Sequence, residues 1–326
     1  MCAKLFLFYE KGCRPMIISA SRRTDIPAFY SDWFFNRIEE GFVLVRNPLN
    51  FHQVSRIDLS PEVVDCIVLW TKNPQPMIDK LSGLENYNYY FQFTLTPYDN
   101  TIEPNVPDKQ LLVKTFQELS ARIGSHRVIW RYDPIFLTEA FDVNYHVRCF
   151  EYLADKLCGY TKRCVISFMD MYKKTERNLK GIDLVPMNEE TMREIAYHLS
   201  LIAKKYDLQL MTCCEDIDLT EFGIKPGKCI DDELISKIIG KKLDVRKDPN
   251  QRLSCGCVQS IDIGAYNTCQ HKCLYCYANF NTSLVDKNVR LHSATSPLLF
   301  GHLQEGDKVT VRQVFSHINN QLSFWD

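Results

Sequence analysis

From Met16 to Gly264, short runs rich in β-branched and aromatic residues alternate with longer amphipathic segments. That alternation restricts the chain to repeated βα units around a parallel sheet. The strand runs are residues 16–20, 66–71, 90–95, 128–132, 164–168, 208–212 and 260–264. Helical periodicity covers residues 26–40, 109–123, 143–157, 189–206 and 231–239. Two further runs, 42–46 and 51–56, flank Asn47-Pro48-Leu49-Asn50 and read as an inserted hairpin. Neither a solenoid repeat nor a low-complexity tract is present.

Polar residues gather just after the strand runs, at Ser21-Arg22-Arg23-Thr24-Asp25, Lys72-Asn73, Thr96-Pro97-Tyr98-Asp99, Asp133-Pro134, Asp170-Met171-Tyr172 and Cys213-Cys214-Glu215-Asp216. In a βα barrel these strand ends surround the active-site mouth. Helix capping and turn formation account equally well for any one of them. Asp25 in particular precedes Ile26-Pro27, a helix start that an aspartate caps well.

The last strand run leads into Thr268-Cys269-Gln270-His271-Lys272-Cys273-Leu274-Tyr275-Cys276, a C-x3-C-x2-C array with an aromatic before its last thiol. Such spacings also occur in zinc sites and in half of a ferredoxin-type cluster site, and His271 inside the loop offers a fourth zinc ligand. A residue so close in sequence to Cys269 and Cys273 turns toward the same metal with difficulty. Fourteen cysteines in a chain without a secretory signal point to metal binding or reactive thiols rather than disulfides. Cys66, Cys149, Cys158 and Cys164 stand in apolar surroundings and read as inert core thiols.

The array, with Tyr275 and the strand before it, resembles the cluster-binding signature of radical S-adenosylmethionine (radical SAM) enzymes. The resemblance implies that Cys269, Cys273 and Cys276 hold three irons of a [4Fe-4S] cluster. SAM would chelate the fourth iron, and a flavodoxin or ferredoxin would supply the electron. Most of that superfamily carries the array near the start of the chain, whereas here it follows more than 260 residues. The implied fold is therefore a single, partial βα TIM-like barrel over residues 16–300, circularly permuted so that the cluster-binding unit, with its loop at 265–280 and a helix from about Tyr275, is C-terminal. Residues 16–20 would then be the second barrel strand, with the last unit closing the sheet beside it. Residues 1–15 would form an extension, with Met16 competing with Met1 as the start, and 301–326 a C-terminal segment.

The superfamily's Gly-Gly-Glu type motif for the SAM amino group has no counterpart here. Its place is taken by Arg22, Arg23 and Asp25, with an arginine to pair the SAM carboxylate and Asp25 to accept from its ammonium. Cys214, Cys229, Cys255 and Cys257, in the segment 213–257, form a second set suited to an auxiliary iron-sulfur cluster or a zinc ion, with Cys213 as a strand-end residue. Arg22, Arg23, Lys72, Arg131 and Arg46, together with Asp133, Asp170, Glu215 and Asp216, suit a polar, anionic, nucleotide-like substrate; mutual pairing of these charges is the alternative.

A narrower likeness, to radical SAM lyases that release queuine from its nucleoside or nucleotide, implies that Asp133 or Asp170 accepts from the base edge. Competing readings are a DNA-photoproduct-type lyase, a peptide modifier, or a non-catalytic iron-sulfur or zinc protein. Net charge, −1 from 39 basic and 40 acidic residues, supplies no global attraction for nucleic acid or anionic membrane. With no apolar run near the roughly 20 residues of a membrane span, the chain reads as cytoplasmic.

Overall fold

The computed structural model describes residues 16–170, 177–313 and 318; residues 1–15 and Met171 and Tyr172 lie outside that set. In chain order the strands are β1 (Ile17–Ala20), β2 (Phe42–Arg46), β3 (Gln53–Asp58), β4 (Cys66–Thr71), β5 (Tyr89–Thr94), β6 (Val128–Ile135), β7 (Leu137–Thr138), β8 (Arg163–Phe168), β9 (Leu184–Val185), β10 (Gln209–Thr212), β11 (Lys225–Pro226), β12 (Ile261–Asp262) and β13 (Lys308–Val311). Eight of them form one parallel sheet in the order β11-β10-β8-β6-β5-β4-β1-β12. Each strand run read from sequence is a strand of this sheet. The eighth, β11, is two residues long and contains a proline, which is tolerated at a sheet edge where its missing N–H is not needed.

Strand β12 lies beside β1, with Ile18 opposite Ile261 and Ser19 opposite Asp262. First and last strands of this sheet in chain order are thus neighbours. Among the described residues the ladder ends at β12 on one side and β11 on the other and does not close on itself.

Alternate residues of each strand face opposite sides. On one side Ile18, Ile67, Phe91, Trp130 and Ile166 meet the helices through Phe34, Phe116, Phe150 and Leu199. The other side carries Ile17, Val68, Tyr90, Ile129 and Val165, packed against Ile230, Leu234, Leu243 and Val258 of the segment that follows β11. Further along the same strands, this second side turns polar at Ser19, Gln92, Arg131 and Ser167. The chemistry-bearing residues therefore collect at the C-terminal strand ends, where parallel α/β sheets bind ligands.

Helices Lys109–Ile123 and Val143–Leu157 keep their expected bounds, each started by an aspartate. Asp108 accepts from the Gln110 amide at 2.8 Å and Asp142 from Tyr145 at 2.6 Å, satisfying donors that lack an intrahelical partner. The helix expected over 26–40 is broken into Ile26–Phe29 and Ser31–Glu40. At the break Tyr30 has φ −133° and ψ 26°, and its buried hydroxyl donates to the Thr268 carbonyl at 2.6 Å.

The hairpin expected at 42–56 is present, with β3 beginning at Gln53; β13 adds a third strand alongside β3. Cys158 is exposed at a helix end rather than in the core. The helix expected from Tyr275 begins at Thr282, because Asn267 holds 278–280 in a turn: its amide donates to the Ala278 carbonyl and its side chain accepts from the Phe280 amide. Among the described residues no helix is long and apolar enough to cross a membrane.

Gly264 shows how tightly the two chain ends meet: a Cβ there would lie 2.1 Å from Ser21 Oγ and 2.5 Å from Ser21 Cβ. Gly264→Ala is expected to cost about 1–3 kcal/mol of unfolding free energy, the usual range for overpacking. Combining it with Ser21→Gly should recover part of the overpacking loss, read as a positive coupling in a double-mutant cycle of urea midpoints. Strictly additive losses would refute the contact.

Candidate functional site

The cysteine loop is held from several directions. Asn279 Nδ2 donates to the Cys269 carbonyl at 2.8 Å, Asn288 Nδ2 to the Asn267 carbonyl at 3.0 Å, and the Leu274 amide to the Ile102 carbonyl at 3.0 Å. Asn267 and Lys272 adopt left-handed φ of 57° and 55°, which lets the chain reverse within a few residues. Cys269 lies within electrostatic reach of both Cys273 and Cys276. Burial pushes all three thiols above their ordinary range. Thiolates at this place would need a metal's positive charge.

His271 does not face the thiols. Its Nε2 stands 2.9 Å from Asp25 Oδ2, and its Nδ1 stands 3.3 Å from the Asn105 carbonyl oxygen. The ring is buried edge-on to Phe29 with centroids 4.6 Å apart. Asp25 caps the short helix as expected, accepting from Ala28 N at 3.0 Å, and also accepts from Lys72 N at 2.6 Å. Both of its oxygens are engaged within the fold.

Behind the loop lies a charge network that sequence reading missed. Glu103 is buried and accepts from Lys72 Nζ and Thr96 Oγ1, both at 2.7 Å, from Lys109 Nζ, and from the Tyr275 hydroxyl. Burial alone would raise the Glu103 pKa, but the Lys72 and Lys109 ammonium groups outweigh it and hold the carboxyl down to about 2. Lys72 also lies over the Tyr275 ring, 5.6 Å from its centroid. The signal for Glu103 was an acidic residue in the loop after β5, but nothing in its neighbours announces burial.

Arg22 and Arg23 flank Asp262 at the junction of β1 and β12. Asp262 accepts from Ser19 Oγ (3.0 Å), Ser21 Oγ (2.6 Å), Arg22 N (2.9 Å) and Gly264 N (3.0 Å). Arg22 Nη2 reaches Ser260 Oγ at 3.3 Å, and its guanidinium lies 6.0 Å from the Trp70 ring centroid. Arg23 lies 5.2 Å from the Tyr266 ring centroid. Each arginine thus has structural partners of its own.

Deeper on the same side, Arg131 donates to Asp133 and, at 2.8 Å, to Cys229 Sγ, while Ser167 donates to Asp133. The Arg131 guanidinium also lies 5.2 Å from the Trp70 ring centroid, and the buried Trp70 Nε1 has no hydrogen-bond partner among the described residues. Asp170 pairs instead with Arg252, at 2.6 Å toward the outside. Burial raises Glu215 to about 8, with Asp170 and Asp133 adding to the effect. Arg46 is not at the mouth; it pairs with Asp307 at 2.8 Å on the three-stranded sheet.

In the second cysteine set, Cys213 Sγ lies 3.0 Å from Cys229 Sγ, and Cys257 Sγ accepts from the amides of Cys229 (3.3 Å) and Ile230 (3.4 Å). Cys255, two residues earlier, is buried as well. Cys214, with φ of 61°, turns toward Ser254 Oγ at 3.4 Å. Among the described residues, no three or more His, Cys, Asp or Glu side chains already stand in single-ion metal geometry.

A family model described as a domain of unknown function, DUF1848, matches residues 17–278. The chain belongs to that family. Among curated proteins, none matches. One solved structure similar to this DUF1848 chain is a Bacteroides thetaiotaomicron protein provisionally assigned as an alpha-L-fucosidase, at 12% identity over 88% of this chain and 95% of that one, with a TM-score of 0.26. A likeness that low carries no argument.

The two perturbed glutamates produce opposite pH behaviour. Glu103, with a folded pKa depressed to about 2, contributes stability that is present above its unfolded value and is lost as pH falls toward 2. Glu103→Gln should flatten that acid limb and, by leaving Lys72 and Lys109 without their carboxylate, cost about 3–5 kcal/mol in chemical denaturation at pH 7. Glu215, raised to about 8, is favoured below its unfolded value, and that advantage is lost as pH rises to 8. Glu215→Gln should therefore gain stability relative to the parent between pH 5 and 8. An unchanged pH profile in either variant would refute the corresponding assignment.

Proposed function

We propose that this protein is a radical SAM enzyme, a lyase, acting on a small nucleotide-like substrate. The supporting observation is the state of His271. Three cysteines share one buried loop, and the histidine that would complete a zinc site has both ring nitrogens directed at Asp25 and Asn105. Among the described residues that leaves a three-thiol donor set without His271 as its fourth ligand, the arrangement in which a cluster keeps one iron open. The parallel sheet, with β12 beside β1, fits a partial βα barrel of radical SAM type, circularly permuted.

Cys269, Cys273 and Cys276 would hold the cluster. With a cluster bound and reduced by a low-potential electron donor, the site would supply the electron that cleaves SAM to methionine and a 5'-deoxyadenosyl radical able to take hydrogen from the substrate. A cluster spreads its thiolates over separate irons, so single-ion spacing of the three sulfurs is not required. Tyr275, fixed by Glu103, and Asp25, fixed by three hydrogen-bond donors, keep the loop from swinging.

Arg22 and Arg23 stand nearest the loop's entry strand and suit the carboxylate of SAM. Arg131, Asp133 and Ser167 form a polar group further along the sheet, and the unpartnered Trp70 Nε1 offers a donor beside it. That combination suits the amidine edge and phosphate of a deazaguanine nucleotide. Release of queuine from queuosine or its 5'-phosphate is the specific reaction proposed, hydrogen loss from the ribose weakening the glycosidic bond.

Anaerobically reconstituted and reduced protein is expected to form 5'-deoxyadenosine from SAM. Cys273→Ala should lower that rate at least about a hundredfold together with iron content, while His271→Gln retains iron. No SAM cleavage with a fully loaded, reduced cluster overturns the enzyme assignment. Supplied with queuosine 5'-phosphate, the active enzyme should release queuine; SAM cleavage without release overturns the substrate alone.

A further inference from the structure

Five cysteines outside the C-terminal loop come together from three separate stretches of chain. Strands β10 and β11 pair with Thr212 opposite Pro226, and the Gly227 amide donates to the Thr212 carbonyl at 2.8 Å. Just past these paired ends, Cys213 and Cys229 meet with their sulfurs 3.0 Å apart. The third stretch, Cys255-Gly256-Cys257, contributes two more buried cysteines, and the Cys229 and Ile230 amides both reach Cys257 Sγ. All of these cysteines are unbridged.

Three features of the cluster go beyond ordinary core packing of thiols. Cys213 and Cys229 have their sulfurs 3.0 Å apart, and the Cys229 amide reaches Cys257 Sγ at 3.3 Å, which brings the third stretch against the second. Two backbone amides aim at Cys257 Sγ, as they do at metal thiolates. A buried arginine, Arg131, donates to Cys229 Sγ at 2.8 Å, placing positive charge against a sulfur that, as a neutral thiol, has little use for it.

We infer that Cys213, Cys229, Cys255 and Cys257 form a second metal site that takes one thiophilic divalent ion, zinc, in a tetrahedral set of four thiolates. Sulfur spacing favours a single ion over an iron-sulfur cluster. Four sulfurs at about 2.3 Å from a tetrahedral ion stand about 3.8 Å from one another, close to contact distance, whereas a cluster spreads its thiolates over separate irons. With Cys213 and Cys229 3.0 Å apart and no single-ion geometry among the described residues, seating the ion takes rotation of short cysteine side chains. Each ligating thiol gives its proton to solvent, leaving a site of net charge −2. Arg131 on Cys229 and Arg22, whose charge acts on Cys257, offset that charge. The assignment puts Cys213 in the ligand set and Cys214 outside it, turned to Ser254.

The site is independent of SAM chemistry, and so is its test. Full-length protein purified from zinc-supplemented medium should contain about one zinc ion per chain. That zinc should fall at least tenfold in Cys229→Ser and Cys257→Ser, and persist in Cys214→Ser and Cys273→Ala. Apo-protein titrated with cobalt chloride should show the visible bands of a tetrahedral site and the near-ultraviolet charge transfer of four thiolates, a readout on the parent chain that does not depend on variants folding. Iron with sulfide at this site, zinc lost in Cys273→Ala but kept in Cys257→Ser, or no cobalt spectrum would each overturn it.

Discussion

The Asp262 carboxylate joins the two ends of this fold. Strand β12 is only two residues long and shares two register positions with β1, too little ladder to seat a loop by itself. Asp262 adds four hydrogen bonds to that short contact, from Ser19 Oγ, Ser21 Oγ, Arg22 N and Gly264 N. An ionised acceptor strengthens each of them relative to a neutral pair. Because β1 lies near the start of the described chain and the cysteine loop begins three residues after Asp262, one side chain sets the loop's position against Arg22, Arg23 and Asp25. The absence of a side chain at Gly264 allows the same approach from the opposite strand.

Seven of the eight parallel strands were legible because their runs are mostly apolar, as expected of strands buried on both faces, whereas β11, Lys225–Pro226, is exposed and carries no such run. The break at Tyr30 was not, since its cause is a hydrogen bond to Thr268, more than 230 residues away. For the same reason the helix after the cysteine loop could not be placed: Asn267 delays it by binding 278–280. Within the site, the cysteine spacing was visible in the chain, whereas the partners of His271 and the Lys72 and Tyr275 partners of Glu103 belong to other βα units and leave no local pattern. Cys213 and Cys214 show the limit most clearly. They are adjacent and chemically identical, and only a left-handed turn at Cys214 decides which sulfur meets Cys229.

A net charge of −1 describes this protein poorly, because its informative charges are inside and paired. Glu103 sits between two lysines, and Arg131 sits between a carboxylate and a sulfur. Mutual pairing, which from sequence competed with substrate binding as the use of these residues, is what the folded chain displays. Paired charges still serve a ligand, since fixed partners hold a guanidinium or carboxylate in one orientation before anything binds.

The two thiol sets differ in what they demand of the chain. Cys269, Cys273 and Cys276 lie within one loop, so bringing them together closes very little chain; a ligand there adds little constraint and its loss need not unfold the sheet. Cys213, Cys229, Cys255 and Cys257 come from distant stretches, and tying them together closes long loops, which carries a larger entropic consequence for the unfolded chain. That second set also lies under the segment covering one face of the sheet, against Tyr90 and Gln92, whose side chains donate to the Cys229 carbonyl at 2.6 and 2.9 Å. Chain topology thus separates a locally built thiol loop at the sheet's C-terminal ends from a distributed thiol set packed under the covering segment.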